Sequence, residues 1–391
     1  MKTSQQLALG LLSFALPASG AFASGQNSVP SVVITLENAQ PGRGVFLTPP
    51  WIGIHDGTFD TYDGGSVASV PLGGDEIERL AEDGNNGPLT VTFENRLPNA
   101  PQVQGVAGPT GPLGPRDRAS VVLNVNPSTD RYFSYASMVI PSNDAFIANG
   151  NPLAHQLFDE SGNFTGQDFV VSGDETNDAG TEVNDEIASN VAFLNQSAPD
   201  TGVTEALPVV TPSPGFAAPG DLAYPNGVLN YPVFGNGDFN DADDRLLSVS
   251  FRFIDLGRRV DFDSTLSTDQ EVQAAAVTSG ASGLARLRST AAESLRVIAI
   301  TRDLSGPIQM AHLHLGPAGS NGPVIVDMGD GIIANGRFVF FRARQEDLTG
   351  PLADASFVDF LNEVAAGNVY INLHTEEFPA GELRGQVTLA D

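Results

Sequence analysis

The chain has 391 residues, 42 of them Gly and 27 Pro, and no Cys; the length points to two domains, and disulfide or thiol chemistry is excluded. Its 47 acidic residues against 19 basic ones leave a net charge of −28, a surface that repels nucleic acid and anionic lipid and attracts divalent cations. Adaptation to salty water accounts for the same charge without a specific partner.

In chain order, Met1 and Lys2 give a basic start, Leu7 to Leu16 is an apolar run, and Ala21-Phe22-Ala23 fits a small-x-small cleavage site. Residues 1–23 are therefore expected to be a signal peptide, with the mature chain starting near Ser24. That run is shorter than the roughly 20 residues a bilayer span needs, so no membrane insertion is expected. The expected location is periplasmic, secreted or at the cell surface.

Period-two, β-branched segments follow, bounded by Gly, Pro, Asn and Asp. They include Val32 to Leu36, Leu89 to Phe93, Ala119 to Val125, Tyr132 to Ile140 and Leu247 to Phe253. Beyond them come Leu295 to Ile300, Arg337 to Phe341, Asn368 to Leu373 and Gly385 to Leu389. The spacing predicts an all-β chain of two antiparallel β-sandwich domains in tandem. Helical spacing occurs at Gly74 to Glu82, with Ile77, Leu80 and Ala81 on one face, and at Ala353 to Ala366, with Phe357, Phe360, Leu361 and Val364. A boundary at Asp255 to Arg259 divides the chain into domains at 30–255 and 260–391.

Two acidic loops stand out in the first domain. One is Pro141-Ser142-Asn143-Asp144; the other, Asp174 to Glu186, holds Asp174, Glu175, Asp178, Glu182, Asp185 and Glu186 and turns at Gly180. Ca²⁺ takes 6 to 8 oxygen ligands, and loops this rich in Asp and Asn can gather several; a solvated acidic loop is the plainer reading. A third cluster, Asp238 to Asp244, lacks the Gly and closing Glu of a calcium loop. His55 and His155 are isolated and read as surface or capping residues.

Residues 30–255 resemble a spondin domain in its bacterial form. The resemblance rests on Phe46 to Pro49 with His55-Asp56-Gly57, on Leu80 to Asn85, on Ser137 to Phe146 and on Asp178 to Glu186. It implies an antiparallel sandwich with Ca²⁺ at one loop end, found in extracellular adhesion or matrix proteins. By motif, Asp144 and Asp178 are the implied Ca²⁺ ligands, with Glu182 third. The chain departs from animal members in lacking their cysteines and in placing Asn177 where an aromatic residue commonly precedes the Asp.

Three of the five histidines fall in the last domain: His312 and His314 in Ala311 to Gly316, and His374 in Tyr370 to Thr375. On a strand, His312 and His314 share a face; a neighbouring strand with His374 would complete a set that Zn²⁺ or Cu²⁺ accepts. Glu382 and Arg384 lie a tight turn later, and a carboxylate near imidazoles could orient a ring. A metal-free hydrogen-bonded network is the alternative. Residues 262–391 resemble the CHRD domain, through Leu266 to Val272, Ala311 to Gly319, Asn321 to Val324, Asn372 to Thr375 and Pro379 to Val387. The family implies a β-sandwich in extracellular proteins and supplies no agreed chemistry.

The leading expectation is a secreted, non-catalytic Ca²⁺-binding adhesion or surface-interaction protein, its partner an extracellular protein or polysaccharide. A Zn²⁺- or Cu²⁺-dependent enzyme or metal-binding protein centred on the three histidines is the second reading, and a structural envelope or matrix protein the third. No Gly-x-Ser-x-Gly elbow, phosphate-binding Gly-Lys-Ser/Thr loop or His-Glu-x-x-His helix occurs in the sequence.

Overall fold

The computed structural model describes residues 28–390, apart from 200, 207, 274, 334 and 335. Residues 1–23, expected to be the signal peptide, lie outside the described residues. The chain is all-β: its described strands form three antiparallel sheets.

Two sheets come from residues 30–255. The four-stranded one runs Arg118–Asn124, Pro30–Asn38, Arg245–Asp255, Phe169–Ser172. The other is built around Tyr132–Ile140, which pairs with Trp51–His55 and with Ala145–Ala148. Strand alternation sends Val32, Ile34 and Leu36 inward, where they share a core with Ile52, Ile54 and Phe133 of the facing sheet.

Among the described residues, three α-helices accompany the sheets: α1 (Glu76–Asp83), α2 (Gly87–Arg96) and α3 (Phe357–Ala366). Helix α2 corrects the strand expected at Leu89 to Phe93. A strand would bury Leu89, Val91 and Phe93 together; instead Leu89 and Phe93, one turn apart, are fully buried and Val91 is 59% exposed. Pro88 in the first turn supplies a φ suited to starting a helix. Helix α1 stops at Gly84, whose φ of 65° admits the left-handed residue that ends it.

The third sheet takes strands from residues 261–389. One part places Ile308–Leu315 between Val324–Asp327 and Val369–Thr375; the other places Ser282–Thr290 between Asp261–Ser267 and Ser294–Arg302. Leu313, Ile371 and Leu373 from the first part share one core with Leu287, Val297 and Val339 from the second. Helix α3 packs there through Phe360, Leu361 and Val364, and the same core reaches Val33 and Ile254 of the four-stranded sheet. Strand Pro30–Asn38 is thus buried on alternate residues by its own sandwich and by the last third of the chain.

Candidate functional site

The two acidic loops meet. Asp178 lies opposite Ala145 in the ladder between Asn177–Asp178 and Ala145–Ala148, which brings Asp144 to the turn after Asp178. There the Asp144 carbonyl accepts from Ala179 N–H at 3.1 Å. Asp144 Oδ2 accepts from the amides of Thr181 at 2.8 Å and Glu182 at 3.0 Å, and from Thr181 Oγ1 at 3.3 Å. Asp178 Oδ1 accepts from Gly180 N–H at 2.6 Å, and its Oδ2 accepts from Asn184 Nδ2. Glu182 Oε1 accepts from Gly202 N–H at 2.8 Å.

The burial of these carboxylates sets the electrostatics. Asp144 is fully buried, Glu182 4% and Asp178 7% exposed. Asp144 Oδ1 and Glu182 Oε2 are buried without a hydrogen-bond partner. Burial first, then the neighbouring Asp178 charge, raises the Asp144 carboxyl above the ordinary range, against the pull of the Glu182 and Thr181 amides. Burial also raises Asp178. Glu182 is pushed up to about 7, by burial and then by Glu82 at the end of α1. Buried oxygens lacking donors form a donor set suited to a hard cation. The three carboxylates are not drawn tightly together: among the described residues, the set of three or more whose donor atoms all lie within 4.8 Å of one another is His312, His314 and His374. The cluster Asp238 to Asp244 is largely exposed.

Strands Ile308–Leu315 and Val369–Thr375 assemble the histidines, with His312 opposite Asn372, His314 opposite Tyr370 and His374 opposite Met310. Alternation turns Leu313, Ile371 and Leu373 into the core and leaves the three imidazoles on the other face of the sheet. His312 Nδ1 lies 3.1 Å from His374 Nε2. His314 Nδ1 is 2.9 Å from Gly322 O and His374 Nδ1 is 3.0 Å from Pro379 O. A carbonyl only accepts, so both Nδ1 atoms carry the proton and both Nε2 atoms are bare. His314 Nε2 is buried without a partner. Burial lowers the pKa of all three rings, most at His374, which falls to about 4.

The orienting groups are not the ones expected. Glu382 is fully buried but accepts from Ser305 N–H, Ser305 Oγ and Thr375 Oγ1 at 2.6–2.8 Å, tying a loop to the strand end. Its oxygens are taken by Thr375, the residue after His374 on the strand, and by Ser305, so it is spent on this loop rather than on a ring. Arg384 lies 3.6 Å from the centre of the Tyr370 ring and donates to Pro317 O, Ser320 O and Asn321 Oδ1, holding the loop over the site. The groups at the far nitrogens are Gly322 O, Pro379 O and Asp327, whose Oδ1 lies 4.0 Å from His312 Nε2.

Of the two isolated histidines, His55 is 1% exposed, and its Nδ1 accepts from Gly57 N–H at 3.0 Å, so it is the capping residue of the two readings and not a surface one. His155 is half-buried and stacks on Phe169 at 3.7 Å between ring centres. Glu82 was not read as a neighbour of the acidic site, although it lies in Leu80 to Asn85, one of the segments that carry the spondin resemblance, at the end of a short amphipathic helix.

Residues 262–387 match the family model of the CHRD domain. No curated protein matches the chain. Among the described residues no helix is long and apolar enough to cross a membrane.

Proposed function

We propose that this is a secreted, non-catalytic protein that binds Ca²⁺ through a spondin-like module at 30–255 and uses the cation to present an interaction surface to an extracellular partner. One observation carries the reading: the fully buried Asp144 carboxylate keeps an oxygen without a donor beside Asp178 and Glu182. Leaving such groups unpaired costs several kcal/mol, on the order of 1–3 each; a hard cation removes that cost. Asp144 and Glu182 contribute oxygen ligands, and carbonyls, amide oxygens and water complete the 6 to 8 that Ca²⁺ takes.

The cation site connects to a surface. Glu182 holds Gly202 through its side chain, and Asp185 holds Ile187 N–H and Asn190 Nδ2 at 2.9 and 2.7 Å. The loop between them exposes Ile187, Phe193 and Val203 by 53–56%. Phe193 sits at a φ of 67°, costly for a bulky residue. Exposed apolar side chains on a loop fixed by buried carboxylates suit a protein partner better than a polysaccharide. The match of 262–387 to the CHRD domain, whose members are extracellular proteins, supports export.

Calorimetry of the full chain after chelator treatment tests the reading. We expect Ca²⁺ to bind, Asp144→Asn and Glu182→Gln to weaken it, and adhesion to cell-surface protein preparations to require Ca²⁺ and decline with Phe193→Ser. Absence of Ca²⁺ binding to the unaltered chain would overturn the proposal.

A further inference from the structure

We propose that His312, His314 and His374 form a mononuclear site for a borderline divalent transition ion, Zn²⁺ or Cu²⁺, with His314 Nε2, His374 Nε2 and His312 Nδ1 as donors and a fourth position open to water or a small anionic ligand. The site uses residues unrelated to the Ca²⁺ reading and stands without it.

Spacing is the first argument. An ion held at 2.0–2.1 Å by imidazole in tetrahedral geometry sets its donor atoms roughly 3.3 Å apart. His312 Nδ1 and His374 Nε2 are already 3.1 Å apart, and the three histidines offer one ring nitrogen each with all three atoms within 4.8 Å of one another.

Orientation is the second. A ligating histidine commonly gives its other ring N–H to a carbonyl or carboxylate, which fixes the tautomer. Gly322 O and Pro379 O do this for His314 and His374. His312 has the same arrangement at a longer reach: once its Nδ1 binds metal, the proton sits on Nε2 and faces Asp327 Oδ1, now 4.0 Å away. Without metal, the His374 Nε2 is bare, so the proton between the two rings belongs to His312 Nδ1. The ion therefore takes the place of one bridging proton.

A hydrogen-bonded network without metal would satisfy every buried nitrogen. Here His314 Nε2 is left without a partner, while its ring is fixed by stacking on Tyr370 at 4.8 Å and 8°. Burial keeps the rings neutral, as a ligand must be. The donors are all imidazole nitrogen, which excludes Ca²⁺ and Mg²⁺ and suits Zn²⁺ and Cu²⁺. No carboxylate among the described residues joins the set. Asn372, opposite His312, and Glu271, which accepts from Asn372 Nδ2 at 3.3 Å, each keep a buried oxygen without a donor. A metal-bound water can donate to such oxygens.

The test uses the full chain, stripped with chelator and titrated separately with Zn²⁺ and Cu²⁺ against a chromophoric competitor. One equivalent is expected to bind. His314→Asn and His374→Asn should weaken binding by more than about 100-fold, and Asp327→Ala by about 10-fold. Asp144→Asn should leave it unchanged, which separates this site from the calcium site. Because a histidine variant can fail to fold, the unaltered chain is also loaded with Co²⁺ and Cu²⁺. Intense visible bands of four-coordinate Co²⁺ and hyperfine splitting from three nitrogens on Cu²⁺ are expected. A six-coordinate Co²⁺ spectrum, fewer than three nitrogens, or binding untouched by the His314 and His374 substitutions overturns the proposal.

Discussion

The Glu182 amide donates to the Asp144 carboxylate at 3.0 Å across 38 residues of sequence, while one oxygen of the Glu182 carboxylate accepts from Gly202. One residue thus fastens the buried acid with its backbone and the exposed loop with its side chain. The loop that carries Ile187, Phe193 and Val203 is coupled in this way to whatever neutralises Asp144.

This coupling makes a prediction about stability. In excess Ca²⁺ the unaltered chain should gain about 2.7 kcal/mol at a hundredfold excess over Kd, read as a rise in melting temperature relative to chelator. Asp144→Asn removes a buried charge, so in chelator it should melt no lower than the parent, and Ca²⁺ should add nothing. A variant that gains as much as the parent would remove Asp144 from the site.

Protons should compete with the cation. Burial pushes Glu182 up to about 7 from an ordinary value of 4.5, and Asp144 is raised in the same direction. With folded values above unfolded ones, these groups favour folding fully below about pH 4, and that contribution is lost as pH rises through 7. Ca²⁺ displaces the protons, so its affinity should fall below pH 7 by about tenfold per pH unit for each proton released. Calorimetry in buffers of different ionisation enthalpy counts those protons; an affinity flat from pH 5.5 to 8 would contradict the assignment.

His55 acts in the opposite sense. Burial lowers it to about 4, so the unfolded chain takes up a proton that the folded chain refuses. Its contribution is intact above the unfolded value near 6.5 and is lost as pH falls from there towards 4. Nδ1 accepts from Gly57, so Nε2–H donates to Ser134 Oγ at 2.8 Å, where Asn149 Nδ2 also donates at 3.0 Å. Ser134→Ala leaves the His55 N–H without its acceptor and Asn149 Nδ2 with Asn151 O alone, at 3.2 Å, and should cost about 1–3 kcal/mol in urea unfolding at pH 7.5. His55→Asn should flatten the acid limb of stability by up to about 1.4 kcal/mol per pH unit.

How much of this was legible depends on what sets each contact. Asp144, Asp178 and Glu182 were named from the motifs of the spondin resemblance, and the ladder from Asn177 to Phe146 brings the two acidic loops together. The histidine pair was readable because His312 and His314 share a strand face whatever the register. His374 was named as the third member on the condition that its strand lay beside the pair; the register that brings it to His312, which a one-residue slip would change to Leu373, is set by the fold. Glu382 misled because closeness in sequence across a turn says nothing about which partners its oxygens take. Glu82 was hidden because its role depends on where α1 ends against the loops.

The segment Leu89 to Phe93 shows the ambiguity at its sharpest, since residues four apart satisfy both periods: they share a strand face and also a helix face. The middle residue decides. Val91 points to solvent in α2, so Val91→Ala should change stability by no more than about 0.5 kcal/mol; on a buried strand face it would cost more. Gly53 probes the other side of the contact. A Cβ there would meet Trp51 ring carbons at 2.8 Å and Phe93 Cε2 at 2.9 Å, and those rings pack edge to face at 5.2 Å, both fully buried. Neither ring has room to withdraw, because Phe59 packs on both, at 5.7 and 4.8 Å. Gly53→Ala should therefore destabilise by about 1–3 kcal/mol through overpacking, measured by urea unfolding, while Val91→Ala in the same assay stays near the parent. Equal effects from the two substitutions would mean that α2 does not pack through Phe93.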